Sequence, residues 1–368
     1  MVAPAALSGG RTPLGSAVRT LHPGYFALVM ATGIVSIAMH NHRLETLSAV
    51  QLWIGCLAYA VLVVLNAWRT IADRDAVLAD LRDPQRAFGL FTFVAATDVL
   101  GTRFVIAGHR MTAFVLLVVG WAAWVALGYL VPWTALLGQA RRPILRDANG
   151  TWFIWAVGTQ SVAVLAAALE PTVDTGRHAL ALLAVFCWAI GVFLYAATGM
   201  FVAARMLLYP LRPGDLTAPY WVAMGATAIT VVAGARIVQM ADAPMVAATR
   251  GLIAGVAVIF FGFGTWLIPA LVAAGIWRHL IRRMPMGYSP ALWSVVFPLG
   301  MYGVAGYELG VADRLPALIV LGDIEGWIAL AAWTLTFVAM IWHWGSVLCA
   351  RKSAPTADFR AHVSQEPR

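Results

Sequence analysis

Asp98, Arg103, Arg236 and Glu308 place charge in or near long apolar runs of the sequence. A charge at membrane depth is costly and marks a candidate functional residue. The two arginines could attract an anion and hold a carboxylate through paired N–H donors. The two acids could exchange a proton. Structural readings compete: Arg103 could pair with Asp98 or snorkel to the interface, and Arg236 could pair with Asp242. Uncharged polar residues accompany them, among them Thr32, Ser36, Thr97, Thr159, Gln160, Thr227 and Thr230. Their burial in hydrocarbon is unfavourable unless they face a cavity or another helix. In "SVVFPLGMYG" (294–303), Phe297 precedes Pro298, which should break its helix by removing a donor and clashing with the preceding turn. Gly300, Gly303 and Gly306 follow, and such residues allow close helix approach.

Other chemistry finds little support. The chain contains no GxxxxGK[ST], no G-x-S-x-G and no HExxH. Its eight histidines form no membrane-buried i,i+4 pair, whereas a haem protein would place axial histidines on facing helices. His343 stands alone in its run and is expected to be hydrogen-bonded within a helix bundle. Cys56, Cys187 and Cys349 fall in three separate apolar runs, with no metal-type spacing. We therefore expect no catalytic residue, no metal and no cofactor, and a membrane redox protein is disfavoured.

The elements that must position these residues follow from composition. Of 368 residues, 61% are apolar and 11% charged, against roughly 45–50% and about 25% in soluble domains. With a mean hydropathy of +0.80, the chain belongs in a membrane. Apolar runs of spanning length fall near 22–39, 50–68, 87–107, 111–131, 150–168, 179–205, 218–240, 251–277, 289–310 and 323–349. Ten spans then form a domain over 22–349, between an N-terminal segment (1–21) and a C-terminal tail (350–368). The first run lacks an A-x-A type site and reads as a span rather than a removed signal.

With both termini in the cytoplasm, 18 basic and eight acidic residues lie inside, against seven and nine outside. This is the positive-inside asymmetry of a cell-membrane protein, and it accounts for most of the +8 net charge without a nucleic-acid partner. Odd-numbered spans begin at intervals of about 63 to 71 residues, as five tandem hairpins would. Polar residues concentrate in the odd spans, so the simplest arrangement has odd helices inside and even helices facing lipid. Span 10, with Thr334, Thr336, His343 and Ser346, is the exception.

Five motifs carry a family resemblance: "HPGYFALVMATGIVS" (22–36), "TDVLGTRF" (97–104), "GTWFIWAVGTQSVA" (150–163), "PYWVAMGATA" (219–228) and "ALWSVVFPLGMY" (291–302). Together they resemble the odd-helix signatures of the tellurite-resistance/dicarboxylate transporter family, which includes plant slow anion channels and fungal malate and sulfite transporters. The resemblance covers roughly residues 20–350. It implies an all-α membrane protein whose five hairpins surround a central pore lined by the odd helices, assembled as a homotrimer with one pore per subunit. It also implies a pore-facing aromatic gate on span 9, by motif position Phe297. Independently, Phe297 lies nine residues into the expected 22-residue span, near the bilayer midplane. Thr32, Thr97, Asp98, Arg103, Thr159, Gln160, Thr230 and Arg236 are the expected pore-lining or anion-binding residues. The family pattern has proline kinks in several pore-lining helices, but spans 3, 5 and 7 have no mid-span proline. Straight helices there would narrow the pore.

The expected function is transport of a small anion: a C4-dicarboxylate, sulfite, a tellurite-type oxyanion, a halide or nitrate. A proton-coupled carrier for C4-dicarboxylate or sulfite is the alternative, with Asp98 or Glu308 as the titrating group.

Overall fold

A computed structural model describes residues 13–140, 142–241 and 243–352. The tail beyond 352, residues 1–12, Arg141 and Asp242 lie outside the described residues. Among the described residues, ten helices are long and apolar enough to cross a membrane: Pro23–Asn41, Glu45–Ala72, Ala87–Ile106, Arg110–Leu137, Gly150–Thr172, Arg177–Leu208, Ala218–Val238, Pro244–Ile281, Pro290–Ala312 and Pro316–Ser346. We number them spans 1 to 10. Spans 2 and 8 extend at least four residues beyond the apolar runs at both ends, span 4 extends beyond its run mainly at its C-terminal end, and span 10 begins seven residues before its run. Two shorter helices, Pro13–Arg19 and Arg74–Arg82, lie before span 1 and between spans 2 and 3.

Burial alternates along the chain. Odd spans are mostly buried, whereas even spans expose large apolar side chains such as Trp53, Phe193, Ile259, Trp266 and Leu335. Lipid solvates such a face at little cost, so an even helix needs only one packed side. Each odd span pairs with the even span that follows it, and the five odd spans also touch one another in order, span 9 closing on span 1. The result is a ring of five inner helices within an outer layer of five.

Every odd span opens with a 3-10 turn: Pro23–Phe26, Ala87–Leu90, Gly150–Trp152, Ala218–Trp221 and Pro290–Leu292. These turns form a closed ring of their own at one end of the bundle. The α-helical parts begin at Ala27, Phe91, Phe153, Val222 and Trp293, which preserves the hairpin period seen in the sequence.

Polar side chains lock the ring at all five junctions between hairpins. Tyr59 of span 2 meets Thr97 of span 3 through their hydroxyls at 2.9 Å. Trp124 of span 4 donates to the Thr159 hydroxyl of span 5 at 2.9 Å, and Trp188 of span 6 donates to the Thr230 carbonyl of span 7 at 3.1 Å. Thr265 of span 8 meets the Tyr302 hydroxyl of span 9 at 2.8 Å. Trp333 of span 10 donates to the Thr32 hydroxyl of span 1 at 3.0 Å, closing the circle. In hydrocarbon, where water cannot compete, such bonds specify helix order.

Glycines on the outer helices make room for polar side chains on the inner ones. Side chains added at Gly120, Gly191 and Gly264 would collide with Asp98, Gln160 and Thr227, each on the odd span of the same hairpin. In the fifth hairpin, Gly303 and Gly306 meet Gly322 and Gly326 backbone to backbone.

Two expectations are corrected. Pro298 does not break span 9, which is continuously α-helical over Trp293–Ala312. Its ring lies only one turn into the helix and packs on Gly225 of span 7, where an added Cβ would approach it to 2.9 Å. The cost is one intrahelical hydrogen bond, that to the Ser294 carbonyl. His343 is exposed, and its ring packs against Tyr288 and Trp344 at centroid distances of 5.4 and 5.8 Å; its carbonyl accepts from the Ser346 hydroxyl at 2.8 Å, but its imidazole hydrogen-bonds to no described residue.

Candidate functional site

Three cavities lie along the helix ring. The first, of about 440 Å³, opens where the five 3-10 turns converge, and every turn contributes to its wall. The N–H groups that begin a helix have no intrahelical acceptor and carry a partial positive charge, so five converging N-termini favour an anion. Arg86, Arg146 and Arg205 also border this vestibule, with Asp147 and Asp215. Arg86 is held by Asp80 at 2.8 Å, and Asp80 also binds Arg69 at 2.6 Å. Arg205 reaches Asp215 through one nitrogen at 3.1 Å, and its Nη1 is buried without a partner. Burial acts to raise the Asp215 carboxyl. The Arg212 backbone N–H and the Arg205 guanidinium outweigh it and hold the group below its ordinary range. His22 completes the mouth, its Nδ1 accepting the Gly24 N–H at 3.0 Å. Burial, and then the nearby Arg86 charge, lower its pKa from 6.5.

The second cavity is a chamber of about 10 Å³ between the odd helices, room for roughly one water. Its wall is mainly apolar, with Ile34, Val99, Val164, Ile229, Val232, Met301 and Val304. Asp98, Thr102, Ser161 and Arg236 supply the polar groups. The third cavity, about 470 Å³, lies at the C-terminal ends of spans 3, 5, 7 and 9. Two ion pairs border it, Arg177–Glu170 at 2.9 Å and Arg236–Glu308 at 2.7 Å.

Span 9 connects the first two cavities. Ser294 borders the vestibule, and Met301 and Val304 border the chamber. Phe297 falls between them in a 3-4-3 spacing, which keeps all four residues on one helix face. It is fully buried, with a small residue at the equivalent depth of spans 1, 3 and 7 (Ala31, Ala95 and Ala226) and Val157 on span 5. It is the eighth of the 23 residues of its span, about one turn (roughly 5–6 Å) to the vestibule side of the middle.

The other expected site residues divide into two groups. Asp98 and Arg236 border the chamber. The Asp98 Oδ2 accepts from the Ser161 hydroxyl at 2.8 Å, while its Oδ1 is buried without a partner. Thr32, Thr97, Thr159, Gln160, Thr230 and Arg103 border none of the three cavities. Thr32, Thr97 and Thr159 hold hairpin junctions through their hydroxyls, Thr230 through its backbone carbonyl, and Gln160 donates to the Trp188 carbonyl at 3.1 Å. Arg103 neither pairs with Asp98 nor reaches the interface. It donates to Ser36 at 3.1 Å and to Ser48 at 2.9 Å, tying span 3 to spans 1 and 2. Arg236 pairs with Glu308 of span 9. The vestibule groups His22, Arg86, Arg146 and Arg205 were not among the expected site residues, because basic residues at span ends first read as topology.

The fold is that of an all-α integral membrane protein, and the comparisons with known proteins place it in the transporter or channel class. The chain belongs to the voltage-dependent anion channel family (SLAC1), whose family model matches residues 20–341. It is 65% identical over 152 residues to an uncharacterized membrane protein of Mycobacterium tuberculosis (strain H37Rv), covering 41% of this chain and 77% of that protein. An uncharacterized transporter of Methanocaldococcus jannaschii is 24% identical over 328 residues, 87% of this chain and 92% of the relative. A sulfite efflux pump of Trichophyton rubrum is 22% identical over 356 residues, 89% of this chain and 91% of the relative.

Proposed function

We propose that the protein conducts small anions along the axis of the helix ring, with Phe297 closing the path between the vestibule and the chamber. The observation that carries this reading is the stripe Ser294, Phe297, Met301 and Val304, which runs from one cavity to the next with a buried aromatic ring between them. Five helix N-termini and the arginines of the vestibule collect anions, and the apolar chamber holds none tightly, which suits passage and release. The vestibule lies on the cytoplasmic side in this proposal. Each subunit holds one such path, including in the homotrimer that the family resemblance implies. The relatives named sulfite efflux pumps make sulfite the first substrate to try. Halide, nitrate, tellurite-type oxyanions and C4-dicarboxylates meet the same charge requirement.

The test is flux from proteoliposomes over that panel of anions. Phe297→Ala should raise flux about tenfold, the effect of lowering a barrier by about 1.4 kcal/mol. Unchanged flux from well-folded protein would reject Phe297 as the closure. Asp98 favours a second reading, coupling to protons, because one of its buried carboxylate oxygens beside the chamber has no partner. Uptake should then depend on the pH gradient in the wild type and lose that dependence in Asp98→Asn. If the dependence survives, Asp98 is not the coupling group.

A further inference from the structure

We propose that Arg236 and Glu308 form an exchangeable station at the outer end of the conduit, where an arriving anion takes the place of Glu308 on Arg236. This rests on the conduction reading above.

Arg236 borders both the chamber and the outer cavity, whereas Glu308 borders only the outer cavity. Among the chamber's described wall residues Arg236 is the one cation. An anion leaving the chamber therefore meets this guanidinium first. The ends of spans 3, 5, 7 and 9 turn their carbonyls toward the outer cavity, so the helix dipoles that favour an anion at the vestibule oppose it here. A cation is needed at that point to offset them.

The geometry of the pair suits exchange. Nε and Nη2 of Arg236 both donate to the same oxygen, Oε1 of Glu308, at 3.2 and 2.7 Å. The contact is thus not the two-oxygen fork that holds a carboxylate most firmly. Side-chain exposures of 14% and 19% leave both groups within reach of water. The neighbouring pair has the same one-oxygen geometry, with Nε and Nη2 of Arg177 both 2.9 Å from Oε1 of Glu170, and its guanidinium is 33% exposed, but its carboxylate is only 2% exposed. The difference lies in the carboxylates: Glu170 is buried, while Glu308 is partly exposed at the cavity edge, where a passing anion can replace it. Glu308 also keeps the guanidinium neutralised when no anion is present.

Arg236→Gln, Glu308→Gln and the double variant, reconstituted as full-length protein, test this with chloride and sulfite. Removing the competing carboxylate of a partly exposed pair should raise flux about fivefold in Glu308→Gln. Arg236→Gln should lower it by a similar factor, and the double variant should match Arg236→Gln. A structural brace gives another pattern, in which both single variants lose flux and the neutral pair recovers it. That pattern would overturn the proposal. A binding measurement judges the station without transport: chloride should raise the unfolding temperature of detergent-solubilised protein at lower concentration in Glu308→Gln than in wild type. The corresponding chloride effect should be lost in Arg236→Gln. Identical chloride titrations in all variants would also overturn it. If Phe297→Ala carries no anion at all, the conduction reading fails, and the titrations still decide whether Arg236 binds one.

Discussion

His22 shows how one side chain serves both the fold and the vestibule. Its Nδ1 accepts the Gly24 N–H, capping the 3-10 turn that begins span 1, so the ring must be neutral at that nitrogen. Burial, and then the Arg86 charge, depress its folded pKa below 6.5. The unfolded chain therefore takes up this proton at higher pH than the folded protein does. The stabilisation is fully present above pH 6.5 and declines as pH falls below it toward the folded value. Thermal unfolding in detergent should show this decline in the wild type. His22→Asn, which keeps an acceptor but cannot titrate, should show less of it. His22→Ala should lose about 1 kcal/mol at neutral pH, the ordinary contribution of a cap.

Arg103 illustrates where sequence reasoning at this scale runs out. Its cost in a membrane was legible, but its partner Ser48 lies 55 positions earlier on another helix. Threonine poses the same problem, because a hydroxyl facing a cavity and one facing a neighbouring helix leave identical sequence patterns.

Helices were far more legible than their contacts. Length and hydropathy placed ten spans, and the near-constant period placed five hairpins, because each hairpin must cross the same bilayer twice. The glycine interface of spans 9 and 10 was legible on one side, through Gly303 and Gly306. Its other side needed the fold, since a Cβ on Gly322 would sit 2.6 Å from the Gly303 carbonyl and the Tyr307 nitrogen. Backbone cannot yield as a flexible side chain does, so Gly322→Ala should cost about 1–3 kcal/mol. The same change at Gly345, where an added Cβ meets open space, should be neutral or gain up to about 1 kcal/mol from helix propensity. Opposite shifts in the unfolding midpoint of the two variants would verify the interface, whereas equal shifts would place the cost elsewhere.

For the whole molecule, two independent asymmetries point the same way. The basic surplus of the loops lies at the end where the 3-10 turns converge, with Arg86, Arg146 and Arg205 at the vestibule wall. Loop charge sets orientation during insertion, while helix dipoles and vestibule arginines act on a solute afterwards. One distribution of arginine can thus serve both insertion and anion capture, provided that the vestibule faces the cytoplasm. Single cysteines introduced at exposed positions, in a background lacking Cys56, Cys187 and Cys349, test that condition. Gly287 precedes span 9 at the vestibule end, and Thr175 lies between spans 5 and 6 at the opposite end. A membrane-impermeant thiol reagent applied to intact spheroplasts should label Thr175→Cys and spare Gly287→Cys, and inverted vesicles should reverse the pattern. Labelling of Gly287→Cys from outside would put the vestibule on the outer face. The five helix N-termini would then collect anions for entry rather than export, and the parallel with the sulfite efflux pumps would fail on direction alone.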